Sequence, residues 1–500
     1  MNNNQQTMSL NDQELVRREK AEKLKEMGIE PFGQAYNRTH HAQELREECA
    51  NYSKEELEGL NKVASVAGRI MSKRRSGKVC FMDLYDKTGK IQLYIKKDVV
   101  GEEAYEVVKM ADIGDIIGAE GTVMKTDTGE LTLRVTTYTH LSKALRPLPE
   151  KFHGLQDKEE SRRKRYLDLI MNEDSKKIAF LRPRIIRIIQ NFFDGRGYTE
   201  VETPILSPIL GGAAARPFIT HHNALDSDFY LRIATELSLK RLIVGGMEAV
   251  YEIGRIFRNE GMDATHNPEF TTIEAYQAYS DLAGMMELSE SLFKKLAIET
   301  KGTYHFTYQG TELDFEKPFD RMSMAEAVLK FTGIDFRTIT DPEEAVKLAE
   351  EKKIQLLPHE HTVGHILNKF FDEFVEDNLI QPTFIYDHPL EVSPLAKKGK
   401  DPRYTERFEI YIMGHEYGNA FSELNDPIDQ KERFLSQLEE RKAGNDEANE
   451  MDEDYIEAME YGLAPTGGIG IGIDRVVMLF GDVDSIRDVL LFPTMKRVNK

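Results

Sequence analysis

The stretch that decides the fold runs from Tyr251 to Tyr279: YEIGRIFRNEGMDATHNPEFTTIEAYQAY. Tyr251, Ile253, Arg255 and Phe257 alternate with Glu252, Gly254, Ile256 and Arg258, and a period of two is the repeat of a strand. Gly261 and the run Asp263 to Pro268 carry turn chemistry, and Phe270 to Tyr279 returns to β-branched and aromatic residues. The reading is strand, long turn, strand. Such a hairpin brings Arg255, Arg258, Glu260, His266, Glu269 and Glu274 close together. An arginine placed there forms bidentate, charge-assisted hydrogen bonds to a polyphosphate. An ordinary ion-paired surface hairpin uses the same residue types, and period alone does not separate the two.

Downstream of the hairpin, residues 280–400 read as largely helical, with extended segments at Pro382–Asp387 and Pro389–Leu395. His359, His361 and His365 lack the spacing of common zinc sites and read as surface histidines at a helix start. Phe408–Met413 is expected as a strand and Gly414–Gly418 as a turn. Glu409 and Glu416 are two carboxylates that can share Mg²⁺ with substrate phosphates, or simply two surface acids. Asn419, Phe421 and Glu423 alternate onto one strand face. Residues 431–462 read as a solvated acidic helix pair. The terminal LAPTGGIGIGIDRVVMLF gives a Gly/Ile strand, then a helix opened by Asp474 and Arg475. GIGIDR lacks the third glycine of a dinucleotide fingerprint. A helix start favours anions in any case.

Upstream, Gly211-Gly212 followed by three alanines permits close approach of a small ligand to the backbone. Tyr230–Ile233 ends a strand, and Thr235-Glu236 opens a helix. Glu236 can hold an ammonium group, although acids are common at helix starts. Leu181, Ile185, Ile188, Ile189 and Phe192 form one apolar helical stripe, ended by Gly195 and Gly197. A strand, YTEVETPIL, is expected next, with Pro204 inside it. Before that, residues 63–141 read as about five short strands, with hairpin turns at Lys87–Lys90 and Asp127–Glu130. A basic, aromatic-bearing five-stranded unit suggests an OB-fold barrel. Phe81 either stacks on a base or belongs to the core, and Arg74 and Gln92 are able to read base edges. Residues 1–60 read as a polar tail followed by a charged helix over Leu10–Met27.

Composition bounds the class. Five hundred residues exceed one core, so two or three domains are expected. No apolar run approaches the roughly 20 residues that span a bilayer, the first residues carry no signal-peptide core, and two cysteines make no disulfide framework. A cytoplasmic protein with no membrane segment is expected. The net charge of −20 argues against nonspecific coating of nucleic acid. Local basic surfaces remain. Residues 63–98 hold nine Lys/Arg against three Asp/Glu, and residues 158–187 ten against five.

The string FRNE, a short loop and then HNPEFT resembles motif 2 of class II aminoacyl-tRNA synthetases, and the chain from about residue 10 onward is similar to the bacterial-type lysyl branch. The helix ended by Gly195 with the Pro204 strand resembles motif 1, which implies a homodimer. GIGIDR resembles motif 3. The resemblance implies an α+β protein: an N-terminal OB-fold β-barrel, then a class II catalytic domain with a six-stranded antiparallel sheet flanked by helices. Domains are expected at 61–145 (barrel), 146–175 (linker, with Pro147 and Pro149) and 176–500 (catalytic, with a helical insertion about 285–380).

The implied reaction activates L-lysine with ATP and Mg²⁺ and transfers it to the 3′ end of tRNA(Lys). By resemblance, Arg258 holds the α-phosphate, and Arg475 and His266 hold the outer phosphates. Glu260, Asn267 and Phe270 take adenine, and Glu409 and Glu416 take Mg²⁺. Gly212, Glu236, Glu274, Tyr276, Asn419, Phe421 and Glu423 form the lysine site, with Glu236 on the α-ammonium and Glu274 and Glu423 on the ε-ammonium. Arg74, Phe81 and Gln92 meet the anticodon. Lys73 stands where a basic Arg is expected, which keeps the charge but weakens a bidentate contact. The rivals are an aspartyl or asparaginyl relative, which would want a cation in the side-chain pocket, a paralogue lysylating a protein, which lacks the barrel, and a non-catalytic RNA-binding protein, which would lack the phosphate and metal residues.

Overall fold

The computed structural model describes residues 12–33, 35–149, 157–442, 444–445 and 448–496. The polar tail expected before residue 12 lies outside them. The chain forms two compact units, Met1–Gly154 and Leu155–Lys500.

In the first unit, β1 (Val63–Ser76), β2 (Val79–Tyr85), β3 (Lys90–Lys96), β4 (Ile116–Lys125) and β5 (Leu131–Ser142) close into a barrel of order β1-β2-β3-β5-β4. The period of two is visible in burial. Cys80, Met82 and Leu84 on β2, and Ile91, Leu93 and Ile95 on β3, fill the interior, while Phe81, Asp83, Gln92 and Tyr94 lie on the outer face. The β2–β3 turn is fixed by Asp86, whose carboxylate accepts from the Thr88 and Gly89 amides at 2.7 and 3.1 Å. The charged N-terminal helix spans Asp12–Glu26.

The second unit is built on an eight-stranded sheet, β14-β15-β16-β17-β18-β11-β10-β6. Its strands are β6 (Thr199–Glu200), β10 (Ala249–Phe257), β11 (Glu269–Ala278), β14 (Asp320–Ser323), β15 (Thr383–Pro389), β16 (Tyr404–Ile412), β17 (His415–Ser422) and β18 (Thr466–Gly472). The six from β15 to β10 pair antiparallel throughout, as the resemblance implies. Short β14 and β6 add parallel pairs at the two edges, so the sheet is mixed. A small sheet β7-β9-β8 stands beside it (Leu206–Ser207, Ser227–Leu231, Ile219–His222), and β12 and β13 (His305–Tyr308, Thr311–Asp314) form a hairpin.

One face of the main sheet is covered by the helices Glu173–Gly195, Leu282–Lys301 and Ile473–Gly481, and the largest core lies there. The stripe expected on the first of these is found: Ile185, Ile188, Ile189 and Phe192 are buried, joined by Ile178 and Phe193. Phe193 is fully buried and stacks on Tyr251, with ring centroids 5.2 Å apart. Phe193→Ala is expected to destabilise the protein by about 3–5 kcal/mol, through lost burial plus the cavity left behind. Equilibrium urea unfolding measures it; a loss below about 1 kcal/mol contradicts this packing account.

Two local expectations are corrected. YTEVETPIL is not one strand. Only Thr199–Glu200 and Leu206–Ser207 pair, because Pro204 has no amide proton to give a ladder. The turn expected at Gly414–Gly418 is only Met413–Gly414, both at positive φ (54° and 71°), so Glu416 lies in strand β17. The stretch proposed as linker carries the helices Lys158–Arg163 and Arg165–Met171. Within the expected insertion, the helices Met324–Thr332, Pro342–Glu351 and Val363–Phe374 enclose a core of their own with Ile385 and Tyr411. At the start of the last helix Thr362 accepts from the His365 amide; His361 is exposed, and His359 and His365 are half-buried. No group of three or more His, Cys, Asp or Glu among the described residues is set to hold a metal.

Candidate active site

The other face of the sheet holds a cavity of about 490 Å³. Pairing register explains its floor, because directly paired residues project from the same face. One row crosses four strands as Glu274, Gly470, Asn419 and Glu409. The next row is Tyr276, Gly468, Phe421 and Arg407. The two glycines keep the middle of the floor open. A Cβ on Gly468 would lie 1.9 Å from Glu423 Oε1 and 2.5 Å from the Tyr276 ring. The Gly/Ile alternation of β18 thus has a physical reason: glycines face the cavity and Ile469 and Ile471 enter the core behind.

Hairpin β10–β11 supplies the wall. Arg258, Glu260, His266, Asn267 and Phe270 all line the cavity, as do Glu409, Glu416 and Arg475. Arg255 and Glu269 do not; they pair with each other at 3.4 Å on the surface. The Arg258 guanidinium lies 5.3 Å from the Phe270 ring centre. Among the described residues its buried Nε has no acceptor, and the guanidinium makes one hydrogen bond, a long 3.4 Å to the Ile233 carbonyl. This arginine keeps donors in hand for a ligand. In the loop, the Asp263 carboxylate accepts from His266 Nδ1 at 2.8 Å, and Arg475 donates to His266 Nε2 at 3.2 Å. A nitrogen that accepts from arginine carries no proton, so His266 is the Nδ1–H tautomer. Against the burial that would raise it, hydrogen bonds from His266 and from the Thr265 and His266 amides pull the Asp263 acid down to about 2. Arg475 stands in the first turn of Ile473–Gly481 and also donates to the Glu416 carbonyl.

The carboxylates Glu409 and Glu416 differ. Glu409 accepts from Arg407 and from the Tyr411 hydroxyl, both at 2.6 Å. Glu416 makes one ion pair among the described residues, a long 3.9 Å to Arg475. Desolvation, then the neighbouring Glu409 carboxylate, pushes the Glu416 acid above its ordinary range. A cation between the two would relieve that repulsion, so the donor set fits a divalent ion completed by phosphate oxygens.

The cavity also holds Gly212, Glu236, Glu274, Tyr276, Asn419 and Phe421. Gly212 sits at φ +91°, with its amide donating to Asn449 Oδ1 at 3.1 Å. Glu274 accepts from the Thr235 amide at 3.0 Å and the Tyr276 hydroxyl at 3.1 Å. Burial pushes its acid up, against the Thr235 hydrogen bond. Glu423 is the exception among the expected lysine residues. It is buried and stands outside the lining, with Oε1 over Gly468 on the cavity side and Oε2 held by Lys240.

Three residues in and behind the cavity were missed. Arg407 reads as a solvated strand residue, yet it orients Asn419 and Glu409. Asn449 lies in a loop without a motif. Lys240 looks like a routine i,i+4 partner of Glu236.

In the first unit, Arg74 pairs with Phe81, Phe81 with Tyr94, and Gln92 lies two residues before Tyr94, so all four share the outer face. Phe81 is therefore not core. Tyr94 was missed, although Gln92 and the strand period point to it; its ring lies 5.2 Å from that of Phe81. Lys73 does not serve this face. Its ammonium donates to the carbonyls of Val108, Lys109 and Ala111 and so caps the helix Glu102–Met110.

Residues 157–496 match the profile of tRNA synthetases class II (D, K and N). The chain belongs to the class II tRNA synthetases. Residues 64–141 of this synthetase match an OB-fold nucleic acid binding domain, which coincides with the barrel. Among curated relatives of the synthetase, the lysine–tRNA ligase of Streptococcus sanguinis (strain SK36) is 58% identical over 488 residues, covering 97% of this chain and 98% of its own. That of Streptococcus agalactiae serotype V is 59% identical over 494 residues, covering 99% and 100%.

Proposed function

We infer that this synthetase is a lysine–tRNA ligase. The observation that carries the amino-acid choice is the set of carboxylates: Glu236 and Glu274 line the cavity and Glu423 backs it. An aspartate or asparagine pocket would instead present a cation to the side chain, and the lining cations Arg258, Arg407 and Arg475 lie among the phosphate and metal residues in this reading. A buried charge without its partner is strongly disfavoured, so the wrong amino acid is rejected by about 10⁴-fold or more.

In the first step the lysine carboxylate attacks the α-phosphorus of ATP, the bond to pyrophosphate breaks, and lysyl-adenylate forms. The nucleophile is already ionised, so the protein supplies position and charge rather than a base. Arg258 stabilises the charge that builds on the α-phosphate. Arg475, held by His266, binds the outer phosphates. Phe270 stacks on adenine beside Glu260 and Asn267. Glu409 and Glu416 would hold Mg²⁺, which would supply neutralisation of phosphate charge. Gly212 and Glu236 take the α-ammonium, and Glu274, Tyr276, Asn419 and Glu423 the ε-ammonium, with Phe421 packing on the aliphatic chain. In the second step a hydroxyl at the 3′ end of tRNA(Lys) attacks the lysyl carbonyl and AMP leaves.

Arg74, Phe81 and Gln92 meet the anticodon on the outer face of the barrel. Phe81→Ala removes a stacking ring worth about 1–3 kcal/mol and is expected to raise the KM for tRNA in lysine charging by about tenfold or more. An unchanged KM contradicts that assignment. The functional protein is a cytoplasmic homodimer in this reading. Phe180 on the motif 1 helix and Ile205, Leu206 and Ile219 around the small sheet leave exposed apolar surface suited to a second copy; light scattering tests it. No described helix is long and apolar enough to cross a membrane. Charging of tRNA(Lys) with radiolabelled lysine tests the whole function. Charging by lysine supports it, and folded protein that charges tRNA only with another amino acid refutes it.

A further inference from the structure

Lys240 projects from the helix Glu236–Val244 and is fully buried. Its ammonium pairs with Glu236 Oε1 at 2.6 Å and with Glu423 Oε2. The ring centres of Phe421 and Tyr276 lie 5.4 and 6.0 Å away, and both rings line the cavity. The ammonium therefore sits directly behind the amino-acid end. Glu423 Oε1 is buried, has no hydrogen-bond partner among the described residues, and lies over Gly468 at the cavity floor.

Fully ionised, Glu236, Glu274 and Glu423 bring three negative charges, and one buried cation meets two of them. Burial opposes that ionisation at Glu274 and Glu423, and the two charges left over by Lys240 are stabilised only when a ligand brings cations to them. L-lysine carries two ammonium groups.

We propose that Lys240 is a specificity-determining positioning residue: a resident ammonium that cancels one of three carboxylates, so that the pocket has charge for two ammonium groups and no more. It also holds Glu423 with Oε2 turned inward and Oε1 left for the ligand, and it fixes Glu236. This inference rests on the lysine reading of the cavity. It differs from that reading in assigning the number of charges, and not merely their sign, to a residue that does not touch substrate.

The test is tRNA-free ATP–pyrophosphate exchange on wild-type protein, Lys240→Met, Glu423→Gln and the double variant, with KM for lysine and for ATP measured separately. Wild-type exchange with lysine establishes the underlying reading first; its absence refutes that reading, independent of the variants. Each single variant shifts the count by one, in opposite directions, and is expected to raise the lysine KM by about 100-fold while the ATP KM stays within about threefold. The double variant restores a count of two and is expected to return the lysine KM to within about tenfold of wild type. A purely structural ion pair would move the melting temperature, and both KM values together. Folded Lys240→Met with a near wild-type lysine KM overturns the proposal, as does a double variant no better than either single. Where Lys240→Met does not fold, the double variant decides alone: recovery supports the count, and a 100-fold rise in lysine KM overturns it.

Discussion

Arg258→Ala is expected to lower lysine-dependent ATP–pyrophosphate exchange by about 10²–10³-fold, the usual loss when a preorganised donor to developing charge is removed. The structure gives three reasons for so large an effect. The guanidinium lines the cavity with a buried, unengaged Nε. It is held against the Phe270 ring, so its plane is set before the ligand arrives. It carries little of the fold, having a single long hydrogen bond to the Ile233 carbonyl. The variant should therefore keep its melting temperature and lose kcat. Steady-state exchange together with thermal unfolding checks both. A folded variant with kcat within about threefold of wild type removes Arg258 from the reacting phosphate.

Glu274→Gln is the second large effect. Its carboxylate sits in the floor row between the Thr235 amide and the Tyr276 hydroxyl. Glutamine keeps the shape and one acceptor but loses the charge. Removing one member of a buried charge pair costs about 3–5 kcal/mol, so the lysine KM is expected to rise by about 10²–10⁴-fold while the ATP KM changes little. The split between the two constants is the readout. Equal rises in both would mean that Glu274 supports the cavity as a whole and does not meet the ammonium.

The parts of this protein legible in its sequence are those where pattern and chemistry coincide. The 251–279 hairpin shows a period of two, turn residues and arginine–glutamate chemistry; Arg258, Glu260, His266 and Glu274 line one cavity, while Arg255 and Glu269 pair outside it. The glycine strand and the helix opened by Asp474-Arg475 were legible for the same reason. The misses have physical causes. The Met413–Gly414 turn hides because a methionine occupies a positive-φ position that usually advertises itself with Gly or Asn. Pro204 ended a strand that its neighbours favour. Lys73 and Lys240 carry the same side chain as any surface lysine. Only tertiary packing shows that one caps a helix and the other is sealed between two glutamates. The two floor rows depend on the register of four strands from distant parts of the chain, and local periodicity sets faces but not partners.

The most direct test of the account is ATP–pyrophosphate exchange without tRNA, run with each of the twenty amino acids in turn. The account predicts exchange with lysine and with no other. Exchange with aspartate or asparagine in place of lysine would contradict the reading of Glu236, Glu274 and Glu423, and no exchange with any of the twenty from folded protein would contradict the activation chemistry itself.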